Sequence, residues 1–128
     1  MNVKIKRIID SEKVIVKTSV GLLAGIWRSE YDMPPIGHEY SIEIDIKTKW
    51  EELAKTRLQN VNSYKVNVTK EKVAFRGMID GFEEGVIFFR LTQACLIMIN
   101  TDFPSCLENE WYELTVDISS VEIWPIGG

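Results

Sequence analysis

The chain has 128 residues, 45% apolar and 27% charged, which suits a single globular domain able to bury a sizeable core. No apolar run approaches the ~20 residues needed to cross a bilayer, and Met1 to Arg7 mixes charge with apolar side chains, so neither a membrane span nor a secretory signal is expected. The formal net charge of −4 hides an asymmetry: residues 1–76 carry 14 Lys and Arg against 10 Asp and Glu, whereas residues 77–128 carry one base, Arg90, against nine acids.

In chain order, residues 3–9 alternate as a strand with a basic outer face. Asp10-Ser11-Glu12 turns the chain, and residues 14–18 return to complete a hairpin. Residues 20–27 are apolar throughout, and Gly21 and Gly25 predict a bulge, a sharp bend or the close approach of another strand. A loop from Tyr31 to Gly37 leads into residues 40–47, where Ile42, Ile44 and Ile46 alternate with Glu43, Asp45 and Lys47 without an error. That period of two marks a strand with one buried and one wet face.

The period then changes. Trp50, Leu53, Ala54, Leu58 and Val61 fall at helical spacing, and Thr48 with Glu51 fits a capping box, so a single amphipathic helix is expected over 48–59. Strands return from Tyr64, with a turn at Lys70-Glu71 and a hairpin loop over Asp80-Gly81-Phe82-Glu83-Glu84-Gly85. Residues 86–91 read as a central strand, 96–99 as another, 102–109 as a long exposed loop, and 112–123 as strand with a change of parity at Ser119-Ser120. The expectation is a mainly β domain spanning 1–128: an antiparallel small barrel or highly curved sheet of about nine strands plus one helix.

No catalytic or cofactor pattern accompanies this fold. His38 is the only histidine, and it lies beside a turn glycine at a strand start. One His with Cys95 and Cys106 falls short of the about four ligands that zinc requires, and the two cysteines are expected to be reduced thiols in a cytoplasmic protein. Carboxylates are plentiful but no pair stands out as an acid and base, and no phosphate-binding glycine loop is present. The expectation is therefore a protein that is not an enzyme and takes no cofactor. Nucleic-acid binding would use Lys4, Lys6, Arg7, Lys13 and Lys17 of the first hairpin. Against it, Phe75, Phe88 and Phe89 sit in strands that read as core, and a pI near 5.1 opposes general phosphate affinity.

The acidic segments have the better claim. Residues 102–113 interleave carboxylates with Phe103, Trp111 and Tyr112, and residues 80–84 carry Phe82, which a turn does not need. Aromatic side chains anchor protein interfaces, and carboxylates around them steer a cationic partner. The candidate partner-binding residues are Asp80, Phe82, Glu83, Glu84, Glu108, Glu110, Trp111 and Glu113. Ordinary acidic surface around core aromatics is the competing reading.

A small, acidic, β-rich chain of this kind resembles the immunity proteins of bacterial toxin–immunity pairs, in overall character over its whole length. That resemblance implies inhibition of a basic toxin, such as a nuclease, whose active site the acidic side chains would cover. An OB-like single-strand nucleic-acid binder and a self-associating structural subunit are the alternatives.

Overall fold

A computed structural model describes residues 1–29 and 32–126. Its eleven strands are β1 (Asn2–Ile8), β2 (Lys13–Thr18), β3 (Gly21–Trp27), β4 (Glu39–Ile46), β5 (Ala54–Leu58), β6 (Lys65–Thr69), β7 (Lys72–Glu83), β8 (Val86–Thr92), β9 (Cys95–Asn100), β10 (Trp111–Asp117) and β11 (Val121–Pro125). Single 3-10 turns at Trp50–Glu52 and Ile118–Ser120 are the only helical elements among the described residues.

The pairings close a barrel. β1, β2 and β3 form an antiparallel meander. β3 meets β6 through Gly21 and Val66, β6 pairs with β7, β7 with β8, and β8 with β9. β9 meets β4 at Asp45 and Met98, and β4 pairs with β1, which completes eight strands. β11 crosses between β3 and β4, parallel to the first and antiparallel to the second, so β1-β2-β3-β11-β4 is itself a closed ring. β10 lies on the first half of β7, and β5 lies on β10.

Alternation explains which side chains fill this barrel. Ile42, Ile44 and Ile46 of β4 are buried, as are Ile97 and Ile99 of β9, Phe75 and Ile79 of β7, and Leu114 and Val116 of β10. Each run supplies one apolar side chain per two residues to the interior, the period at which strand side chains share a face.

The paired glycines of β3 mark its two seams. A Cβ on Gly21 would stand 1.9 Å from the Val66 carbonyl oxygen, and φ there is +133°. A Cβ on Gly25 would stand 2.8 Å from the Val121 carbonyl oxygen. Close approach of another strand, one of the sequence expectations, is what both positions serve.

Three expectations are corrected. The helix over 48–59 is absent: after one 3-10 turn the chain becomes β5, with Lys55 opposite Leu114 and Arg57 opposite Tyr112. Ala54, which the helical spacing places on the apolar face, is exposed, and ladder bonds to β10 outweigh a weak helix preference. With β5 added, the strand count is eleven where about nine were expected. The hairpin loop at 80–85 is also shorter than expected. β7 runs through Glu83, and Glu84 with Gly85 (φ +78°) makes the turn, so Asp80, Phe82 and Glu83 are strand residues. Tyr31, the expected start of the loop before β4, lies outside the described residues.

Candidate partner-binding surface

The segment between β9 and β10, residues 101–110, forms a strap. It is tied at both ends to the β7–β8 hairpin. The Thr101 N–H donates to the Gly85 carbonyl (3.0 Å), the Asn109 N–H to the Ile79 carbonyl (2.8 Å), and the Ile79 N–H to the Glu110 carbonyl (2.8 Å). The 3-10 turn holds its middle. Trp50 Nε1 donates to Ser105 Oγ (2.9 Å), and Lys49 Nζ pairs with Asp102 (3.2 Å).

Glu51 is the clamp of this arrangement. One of its carboxylate oxygens accepts the Thr101 hydroxyl and the N–H groups of Asp102 (3.0 Å) and Phe103 (3.2 Å). Bonding to Thr101, followed by the backbone donors, holds its carboxyl down at about 2. Beneath the strap, fully buried Trp50 meets Tyr112 edge to face at 5.1 Å, and Cys106 is buried beside the strap's own backbone.

The strap brings the two acidic segments together. Glu108 Oε1 lies 3.7 Å from where a Cβ of Gly81 would stand, so Glu108 sits against the hairpin that carries Phe82, Glu83 and Glu84. Glu83, Glu84 and Glu108 are exposed, and Phe82, Phe103 and Leu107 are exposed apolar side chains on the same two segments.

The remaining candidates have internal duties. Asp80 pairs with Arg90 Nε at 2.9 Å. Glu110 is mostly buried, pairs with Arg57 at 2.8 Å and accepts the Leu107 N–H. Half-buried Trp111 stacks on Tyr64 at 5.1 Å, and half-buried Glu113 lies between Arg76 and Thr56 in the ladder. Of the eight candidates, Phe82, Glu83, Glu84 and Glu108 form the open acidic rim, whereas Asp80, Glu110, Trp111 and Glu113 are engaged by other residues of the fold.

Three further features escaped the sequence reading. Glu122, on β11, is a buried carboxylate between Lys47 Nζ (3.0 Å) and Arg28 Nε. Burial pushes its carboxyl up, but hydrogen bonds and charge from Lys47 and Arg28 outweigh this and leave it below the ordinary value. Second, Phe88 is only half-buried and belongs to the outer face of β8. Third, β4 and β9 share a single bridge and separate beyond it, which opens a cleft of about 460 Å³ with exposed Leu96, Met98 and Ile126 at its mouth.

Both thiols are buried and free, and burial pushes Cys95 up and Cys106 up to about 11, the opposite of an activated nucleophile. No group of three His, Cys, Asp or Glu side chains among the described residues is placed to hold a metal ion. No helix among them is long and apolar enough to cross a membrane. No family model, curated protein or solved structure matches the chain.

Proposed function

We propose that the protein is a binding module that captures a cationic protein partner through the acidic rim, with no chemistry of its own. The observation that carries this is the strap. It lays Glu108 against Gly81 and so joins two acidic segments, distant in sequence, and Phe82, Phe103 and Leu107 of these segments are exposed. Exposed apolar anchors supply contact area, while the surrounding carboxylates speed encounter with a basic surface and reject an acidic one. In a bacterial toxin–immunity setting, the partner is a basic cytoplasmic toxin such as a nuclease, inhibited stoichiometrically by acids that occupy its phosphate site.

A second reading has one observation in its favour. The ring β1-β2-β3-β11-β4 is OB-like, and its outer face sets Lys4 directly opposite Lys17. Like charges facing each other across a ladder cost stability, and a phosphate backbone would relieve that cost. Phe75 and Phe89, which this reading would use for stacking, are in the core, while Trp124 on β11 of the ring is exposed.

The test uses two baits in lysate of the native host: the protein and its Glu83→Lys/Glu84→Lys/Glu108→Lys variant. One basic protein held in stoichiometric amount by the first and lost from the second is the expected result. Identical material on both baits, or RNA or DNA that leaves at high salt, would overturn the reading.

A further inference from the structure

The outer wall of the barrel carries a second charged surface, opposite in sign to the rim. On the β1–β2 ladder Lys4 stands directly opposite Lys17, and on the β6–β7 ladder Lys65 stands directly opposite Arg76. Strand β3 joins the two ladders: Leu22 faces Lys17, and the neighbouring Gly21 bridges to Val66, the residue after Lys65. Lys4, Lys17, Lys65 and Arg76 alternate with buried Ile5, Val16, Val66 and Phe75, so all four project from the wall. None of them makes an ion pair among the described residues, and Arg76 Nε is buried there without a hydrogen-bond partner. Glu39 and Glu113 stand at the outer ends of the two rows, opposite Lys4 and Arg76, and neither comes within ion-pair range of them.

Like charges directly opposite each other in a ladder are destabilising, so this wall gains from an anionic cover. The rim is one: Glu83, Glu84 and Glu108 are exposed there beside exposed Phe82, and Leu22, 41% exposed, offers the wall an apolar contact. Within one molecule the two surfaces cannot neutralise each other. Arg76 and Glu83 both lie on β7, and the seven steps between them span roughly 23 Å. Screening cuts charge interactions off at about 8–10 Å. We propose that the basic wall docks the acidic rim of a second copy of the chain, head to tail. The inference rests on the reading of the rim as a binding edge, and names what covers that edge when no other cationic partner is present. Two different patches meet, so the contact propagates or closes into a ring rather than stopping at a two-fold pair.

The test is sedimentation velocity of the full chain over a concentration series, at low and at high salt, before and after nuclease treatment. Two variants accompany it. Glu83→Gln/Glu84→Gln/Glu108→Gln neutralises the rim and Lys4→Gln/Lys17→Gln/Lys65→Gln the wall, all at exposed positions. The expected result is a mass that climbs above the 14.7 kDa monomer with concentration at low salt and returns to it at high salt. Each variant alone should stay monomeric. Their equimolar mixture should recover a one-to-one pair of twice that mass, because one supplies an intact wall and the other an intact rim. An unsubstituted chain that stays monomeric, a variant that associates alone, a mixture that does not pair, or association lost on nuclease treatment would overturn the proposal. The wall variant keeps its rim, so its capture of a basic partner from lysate tests the rim reading separately.

Discussion

Glu51 has the spacing of a helix-capping residue and caps backbone N–H groups, but those of another segment. Its partners are Thr101, Asp102 and Phe103. The consequence is a defined acid sensitivity. The folded carboxyl is held at about 2 against an ordinary 4.5, so its contribution is present above pH 4.5. Below that, the unfolded chain takes up a proton that the folded chain refuses, and stability falls as pH falls toward 2. Melting temperatures at pH 6 and pH 3 check this: Glu51→Gln should be less stable at pH 6 and should lose less on acidification. Gly21 is as demanding for a different reason, since a side chain there meets the Val66 carbonyl at a positive φ. Gly21→Ala should cost about 2 kcal/mol or more, read as a lower urea midpoint at unchanged slope.

At the scale of elements, β5 shows why a spacing argument misled. Trp50 and Leu53 are buried as a helix face would require, but they lie before β5, in a single turn and the residue after it. Beyond them the apolar spacing has no interior to face, because Ala54 is exposed and Leu58 only half-buried. The strand also has an open edge. Among the described residues it pairs with β10 alone, and Lys55 and Arg57 stand opposite buried Leu114 and Tyr112. Lys55 Nζ lies 5.2 Å from the Trp50 ring centroid and donates to the Trp50 carbonyl, while Arg57 holds Glu110. Charged side chains on an edge strand discourage a further strand from adding. Replacing both with valine should raise light scattering during refolding. Trp50, fully buried and bonded to the strap through Ser105, should cost about 3–5 kcal/mol when changed to alanine, measured by denaturant unfolding.

For the molecule as a whole, the period of two made β4, β7 and β10 legible, and with them the mainly β class. Strand order was not legible, because it rests on pairings such as Ile26 with Glu122 that no local pattern encodes. The acidic rim was half legible. The sequence shows both acidic segments but not the strap that joins them, nor that Arg90 and Arg57 already engage Asp80 and Glu110. The cleft was hidden, since Leu96 and Met98 sit in a run whose apolar residues read as buried on both faces. If the rim steers encounter, the triple reversal at Glu83, Glu84 and Glu108 should lower the association rate for a basic partner by about tenfold at low salt, a difference that shrinks as salt rises. Stopped-flow mixing measures both.

The ring β1-β2-β3-β11-β4 also carries a consequence in time. Four of its members come from residues 2–46 and the fifth from residues 121–125, so the ring has no partner for β3 and β4 along that seam until β11 is made. During synthesis the first four strands are held open while every later strand is made. A ring closed by a strand so distant in sequence folds slowly, and the half-made chain exposes unpaired strand edges prone to aggregation.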